Sequence, residues 1–430
     1  MEKIHVGLCG LGTVGTGVVK ILQDHKEHIK HKLGCEIEIA KVLVNNIEKK
    51  RDVVINRDWL TSDPAELVDH KDIDVIIEVM GGIEDTNKLL ERALENKKHI
   101  VTANKDLMAV HGQKLLRLAK KNHCDILYDA SVAGGIPILR SLSDGLASDH
   151  IQKIMGIVNG TTNYMMTKMA DEGLAYEEVL KEAQDLGFAE ADPSADVDGL
   201  DAARKMTLLA NLAFKMELHL EDVDVSGIRN ITQEDINFAE SLGYTIKLIG
   251  IASMHKGKAE VTVEPTLLPK DHPLALVKNE YNAVYVYGEA VGETMFYGPG
   301  AGSLPTATAV VSDLMEVVKN IRLGSSGNEH VDPQFERQLK EDKEKFSRHF
   351  IRLDVDDQAG AFQEITNVFS DHEVSFAKIL QLPGDQEKTA EIVMVTHKIS
   401  REQLLKSMAK LEGLDVVKRL ISHYRVDGEE

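Results

Sequence analysis

Five carboxylates and two cations fall within the short stretch Gly187–Lys205: Glu190, Asp192, Asp196, Asp198 and Asp201, then Arg204 and Lys205. Carboxylates can hold a cationic group, and a positioned ammonium can donate a proton. Pro193 excludes an ordinary helix interior, and Gly187 and Gly199 punctuate the segment. From Leu200 onward, Leu200, Ala203, Thr207, Leu208, Ala210 and Leu212 repeat with helical spacing. Asp201 and Lys205 are four residues apart, so they share one face of that helix, the acid on its N-terminal side. A solvated acidic loop with one surface ion pair is the plainer reading of such a stretch. Two companions weigh against it: Asn159-Gly-Thr-Thr-Asn163 upstream, and a dinucleotide fingerprint at the start of the chain.

That fingerprint is Gly10-Leu-Gly-Thr-Val-Gly15, between the apolar run Ile4–Leu8 and the helical Val18, Val19, Ile21 and Leu22. Gly10 permits a tight turn, Gly12 lets the backbone approach a pyrophosphate, and Gly15 lets the helix pack on the strand. The amides of Thr13 and Val14 then face the phosphates. The next strand, Glu36–Val44, ends at Asn45 and Asn46, where an NAD site usually places an acid for the ribose 2′-hydroxyl. Lys49, Lys50 and Arg51 follow. No acid repels a 2′-phosphate there, so the pocket tolerates NADP as well as NAD. Two further strands, Asp74–Val79 and one starting at His99, end at Gly81-Gly82 and at Thr102, Asn104 and Lys105. Ligands in open parallel sheets bind beyond such carboxyl ends. Asp125–Tyr128 leads into the irregular turn Asp129–Pro137, whose carbonyls are free to point inward.

The elements that must carry these residues change character along the chain. Residues 1–130 read as a Rossmann-type domain, joined by a return helix over 303–321 with Pro305 at its first position. Residues 131–302 read as an α+β catalytic and dimerisation domain. Its helices are Ala175–Leu186 and Ala202–Phe214, and its strands Ile151–Val158, Ile246–Ala252, Ala259–Val263, Ala283–Tyr287 and Glu293–Tyr297. Residues 322–345 read as a linker with a solvated helix. Residues 346–430 give βαββαβ, the ferredoxin-like order. The fold class is therefore α/β with an α+β middle and a ferredoxin-like end.

A formal charge of −20 argues against nucleic-acid or anionic-membrane partners. No apolar run reaches a membrane span. Cys9, Cys35 and Cys124 show no metal or disulfide spacing. Met1 leads straight into a strand without a signal peptide, so a cytoplasmic location is expected.

On these motifs the chain resembles homoserine dehydrogenases of the long bacterial type with a C-terminal ACT domain, over essentially its whole length. Asn159–Tyr164 and Gly187–Lys205 carry the resemblance most specifically; Gly10–Gly15, Ala103–Lys105, Ala130–Pro137 and Gly298–Gly302 add to it. It implies NAD(P)-dependent interconversion of L-aspartate 4-semialdehyde and L-homoserine, toward threonine, methionine and isoleucine. It implies Lys205 as proton donor, with Lys105 and Asp201 assisting. Glu190 and Asp201 would hold the substrate, and Asp196 would order the loop around it. Gly10, Gly12, Thr13, Val14, Gly15, Asn45, Gly81, Lys105 and Gly302 would contact the cofactor. Asp129, Val132, Gly134 and Ile136 match the family's sodium turn, which binds mainly through carbonyls.

The chemistry agrees: an amino-acid substrate carries an ammonium that needs carboxylates, and reduction of an aldehyde leaves charge on oxygen for a lysine to meet. Three positions depart from the family. Asp129 stands where Glu is usual, Asn45-Asn46 where Arg-Asp is frequent, and Ala359 where proline precedes Gly360. ACT modules commonly pair, so a dimer or tetramer is expected, with threonine as the expected effector. Truncation after Gly327 should then leave an active, uninhibited enzyme. Two alternatives are a non-catalytic amino-acid sensor and a semialdehyde dehydrogenase working through a cysteine thioester.

Overall fold

The computed structural model describes residues 3–328, 332–384 and 388–428. In chain order its strands begin with β1 (Lys3–Cys9), β2 (Glu36–Leu43), β3 (Leu60–Thr61), β4 (Val75–Glu78), β5 (His99–Thr102) and β6 (Ile126–Leu127). They continue with β7 (Ile151–Ile157), β8 (Val223–Val225), β9 (Tyr244–His255), β10 (Lys258–Pro269), β11 (Tyr281–Gly288) and β12 (Gly292–Pro299). The last are β13 (Phe346–Asp356), β14 (Phe376–Pro383), β15 (Thr389–Thr396), β16 (Ile399–Ser400) and β17 (Val417–Val426). By packing, the chain divides into two units. One comprises Met1–Ile154, Arg204–Glu221 and Asn282–Arg337; the other comprises Met155–Ala203, Asp222–Tyr281 and Gln338–Glu430. Among the described residues, no helix is long and apolar enough to cross a membrane.

The first unit is built on a parallel sheet in the order β3-β2-β1-β4-β5-β6. That is the doubly wound dinucleotide-binding order. β4 and β5 are buried along their whole length, as parallel strands covered on both faces must be. The helix Ser303–Leu323 contributes Ala307, Val310, Leu314, Val317 and Val318 to the same core as Val18 and Val19 of the Thr13–Asp24 helix. The helix begins at Ser303, where the expected return helix over 303–321 begins, and ends two residues later. Gly302 is its N-cap, with φ 121°, which places Pro305 third rather than first. The first turn has no intrahelical acceptors for its N–H groups, so proline costs no hydrogen bond there either.

In the second unit, β9 and β10 pair antiparallel from Tyr244↔Pro269 to His255↔Lys258. Lys256 and Gly257 both adopt positive φ, as a two-residue hairpin turn requires. The ferredoxin-like element is also present, as β13, the Ala361–Asp371 helix, β14, β15, the Arg401–Leu411 helix and β17. Its strands lie in the order β17-β13-β15-β14. Ile351, Leu353 and Val355 of β13 face Ile365, Phe369 and Leu404 in its core. Its C-terminal strand then continues the neighbouring sheet. β17 pairs parallel with β10 through Thr266↔Arg425 and Leu267↔Val426.

The expected solvated helix in the linker is absent among the described residues from Gly324 to Lys345. Ala259 donates to the Gln338 carbonyl (2.8 Å) and Lys340 to the Ala259 carbonyl (2.9 Å). The Lys340 ammonium reaches Glu260 (3.0 Å) and Ser253 (2.8 Å). A buried carboxylate needs a cation, and this charged segment supplies one instead of facing water.

Candidate active site

Asn159 organises the acidic block. It is the N-cap of the Gly160–Glu172 helix, its Oδ1 accepting from the Thr162 amide (2.8 Å). Its Nδ2 donates to Asp196 Oδ1 (2.7 Å) and Asp201 Oδ2 (2.9 Å). One buried amide therefore fixes both carboxylates. Asp201 opens the Leu200–Phe214 helix, and Lys205, half-buried, follows one turn later on the same face. The other acids of the block separate by role. Asp192 accepts from the Ser194 hydroxyl (2.6 Å) and amide (3.1 Å), which starts the short helix Ser194–Val197. Asp198 is paired with Arg229 (3.0 Å) and so serves the fold. Glu190 is exposed, and its carboxylate makes no hydrogen bond or ion pair among the described residues. The geometry thus joins Asp196 and Asp201 and leaves Glu190 free.

In the first unit, Arg204 Nε meets Asp106 Oδ1 at 3.2 Å. This pair ties the beginning of the Arg204–Phe214 stretch to the first turn of the Lys105–Lys121 helix. Lys105 is the first residue of that helix, where the helix dipole disfavours a cation. Thr102 and Asn104 do not face outward as the strand-end reading expected. The Thr102 hydroxyl donates to Glu78 Oε2 (2.6 Å), and Asn104 Nδ2 donates to the Gly82 carbonyl (2.7 Å).

Glu78 was missed by sequence reasoning, although an acid ending the apolar run Val75–Glu78 was a signal. Its other oxygen accepts from the amides of Met80 (2.9 Å) and Gly81 (3.0 Å), which shapes the Gly81–Gly82 turn. Burial pushes this carboxyl above its usual range, against the pull of its donors.

The Gly10–Gly15 turn fits a dinucleotide. Gly10 has φ 100°, and a Cβ there would sit 3.0 Å from the Met80 backbone. A Cβ on Gly15 would lie 2.1 Å from the Gly10 carbonyl oxygen. At Gly12, by contrast, nothing stands within 4 Å of an added Cβ, so the turn is open there. The Thr13–Asp24 helix has no side-chain cap and no acid in its first turn, which leaves the amides at Thr13 and Val14 to an anion. Asn45 is exposed after β2. Arg51 folds back onto its own loop, donating to the carbonyls of Asn46 (2.6 Å) and Lys49 (2.7 Å). Of the basic trio, only Lys49 and Lys50 remain to meet a phosphate.

The Asp129–Ile136 turn is buried except at Gly135, which is half-buried. Asp129 Oδ1 already accepts from the amides of Leu139 (2.8 Å) and Arg140 (3.3 Å), and its own amide donates to Asp313 (2.8 Å). Burial, and then the charge of Asp129, push the Asp313 carboxyl up to about 7 while Arg140 pulls it down. Gly134, with φ 51°, lies so close to the Gly298–Gly302 loop that a Cβ would be 2.4 Å from the Gly300 carbonyl oxygen. Among the described residues the buried carbonyls of Val132 and Gly134 accept no hydrogen bond. Such orphans are rare in a folded protein and suit a cation. No cluster of three metal-binding His, Cys, Asp or Glu side chains occurs among the described residues.

All three cysteines are buried. Burial raises the Cys9 thiol and pushes Cys124 up to about 11. Burial thus works against the reactive thiolate form at both positions.

Known proteins match this chain over nearly its whole length. Family profiles described as "Homoserine dehydrogenase, NAD binding domain", "Homoserine dehydrogenase" and "ACT domain" match residues 10–129, 137–315 and 349–415. A homoserine dehydrogenase of Bacillus subtilis (strain 168) is 59% identical over 429 residues, 100% of this chain and 99% of its own. The crystal structure of a homoserine dehydrogenase from Thiobacillus denitrificans superposes with a TM-score of 0.92 at 36% identity, covering 99% of each chain. A hyperthermophilic archaeal homoserine dehydrogenase in complex with NADPH gives 0.62 at 25% identity, over 74% of this chain and 98% of that one.

Proposed function

Since the chain belongs to the homoserine dehydrogenase family, we propose that it interconverts L-aspartate 4-semialdehyde and L-homoserine with Lys205 as proton donor. The observation that carries the assignment of roles is Asn159 holding Asp196 and Asp201 together one helical turn before Lys205. Asp201 and Glu190 bind the amino-acid ammonium, Asp196 orders the loop, and Lys105 assists at the reacting oxygen. When bound, the nicotinamide supplies or accepts the hydride. The Gly10–Gly15 turn and Gly81 hold its phosphates, with Asn45 at the ribose and Gly302 a further contact. Lys205 stabilises and then protonates the oxygen left charged by reduction. Asp129, Val132, Gly134 and Ile136 would hold a monovalent cation such as sodium, chiefly through carbonyl oxygens, since one oxygen of Asp129 is already engaged.

Both cofactors are expected to work. Nothing at exposed Asn45–Asn46 repels a 2′-phosphate, and no carboxylate there grips a 2′-hydroxyl. Initial rates with NADPH and NADH test this. A kcat/KM preference for NADH above ~100-fold, about 2.7 kcal/mol, would contradict the reading of the pocket.

The ACT domain is read as a threonine-sensing and pairing module of a homo-oligomer. Support comes from its loop and its sheet. Gly360, with φ 99°, opens the uncapped Ala361–Asp371 helix, and an added Cβ would meet nothing within 4 Å. β17 joins the ACT sheet to β10, which gives the two a shared strand boundary. Truncation after Gly327 is a poor test, because it removes the strand beside β10 and both cations that neutralise Glu260. The full chain should be titrated instead. Millimolar threonine should lower its rate; an unchanged rate and melting temperature would leave only the assembly role.

A further inference from the structure

Lys247, on β9, is 3% exposed and has no carboxylate within ion-pair distance among the described residues. Its ammonium donates to Asn163 Oδ1 (2.9 Å), to the Val277 carbonyl (2.8 Å) and, at longer range, to Thr167 Oγ1 (3.4 Å). Burial, more than the nearby charge of Lys278, lowers its pKa to about 8, while Asp171 opposes the fall. An apolar residue of similar length would avoid the desolvation of this charge, so stability alone does not explain the lysine.

What the ammonium grips does explain it. Asn163 lies one turn after Asn159 on the Gly160–Glu172 helix, and its Nδ2 donates to the carbonyls of Asn279 (2.8 Å), Tyr281 (3.2 Å) and Val277 (3.3 Å). Lys247 and Asn163 therefore bind the same loop and each other. Together they set the helix along its axis. The start of that helix is Asn159, which holds Asp196 and Asp201.

We propose that Lys247 is a positioning residue for the substrate, acting through Asn163 and the Gly160–Glu172 helix on the carboxylate pair held by Asn159. This rests on the reading of Asp201 as a substrate-holding group. Lys247 also belongs to a row of strand pairings. It lies opposite Thr266, Thr266 is the partner of Arg425, and Arg425 is the partner of His349 on β13. A line of backbone pairing thus runs from the ACT sheet to Lys247, whose ammonium makes the last step to the helix.

The test is Lys247→Ala, with Lys247→Met as the length-preserving variant. A cavity of about 250 Å³, lined in part by Lys247, Thr167 and Asp171, gives a small amine room to replace the lost side chain. Homoserine KM should rise about tenfold, the scale of one hydrogen bond from a charged group, with the KM for NADP unchanged. n-Propylammonium, which matches the three carbons and ammonium removed, should lower the homoserine KM of Lys247→Ala again, and n-propanol should not. A fall in kcat alone, equal rescue by amine and alcohol, or failure of both variants to fold would assign the lysine to stability and overturn the proposal. Asp201→Asn separates the two levels. If it leaves homoserine KM untouched, the reading of the site fails. If it raises KM and Lys247→Ala does not, only the positioning role fails.

Discussion

Lys205→Met should lower kcat by roughly 10²- to 10⁴-fold, the usual contribution of general acid catalysis, and change homoserine KM little. Methionine keeps the length and the apolar stem of the side chain while removing its charge and proton. Lys205 occupies an interior turn of the Leu200–Phe214 helix. The ammonium meets charge that develops on oxygen only as hydride is transferred, so its loss belongs in kcat rather than in ground-state binding. Single-turnover rates with NADPH separate that step from product release. A variant retaining most of its turnover would place the proton donor elsewhere.

Arg425→Met should destabilise the unit containing β10 and β17 by about 3–5 kcal/mol, the range for a buried charge left without its partner. Arg425 donates to Glu260 (3.2 Å) and Asp427 (3.1 Å) and lies 3.6 Å from Glu264. Its side chain and that of Glu260 are both buried. After the substitution Glu260 keeps Lys340, and Glu264 and Asp427 lose the cation they share. A lower urea midpoint with an unchanged slope is the expected signature.

The pH dependence has a definite sign. Burial opposes ionisation of Glu260, but Arg425 and Lys340 outweigh it and hold the carboxyl below its usual range. A folded pKa below the unfolded value of about 4.3 means stability that is present above that pH. It is lost as pH falls through the folded value. The wild type should therefore lose this contribution only in acid, whereas Arg425→Met lacks much of it already at pH 7. An unchanged midpoint would show that this cluster does not join the ACT sheet to its neighbour.

What could be read from the chain and what could not divide along a physical line. Gly10 and Gly15 were legible because a glycine at fixed spacing reports a local backbone requirement, and at both an added Cβ would crowd neighbouring backbone; Gly12 stands in open space. The βαββαβ order was legible because its strands and helices alternate in period over short distances. The acidic block was legible as a block, but its internal division was not. Asp198 is neutralised by Arg229, and Asp196 and Asp201 are gathered by Asn159, partners that lie 31 to 42 residues away. The same limit hid the role of Glu78, whose donors include Thr102, and of Lys247, held by Asn163. It also hid the continuation of β10 by β17 and turned a charge-rich segment into an expected solvated helix. Local spacing shows what a residue can do; the partner that decides its use comes from elsewhere in the chain.

The most direct test mixes the full chain with L-aspartate 4-semialdehyde and NADPH and follows the nicotinamide absorbance alongside homoserine formed. Loss of NADPH matched one-to-one by homoserine is expected in the wild type, nearly abolished in Lys205→Met and still present when all three cysteines are replaced by serine or alanine in a folded variant. Folded wild-type protein that consumes no NADPH, or whose activity survives Lys205→Met and disappears with the cysteines, would contradict that expectation.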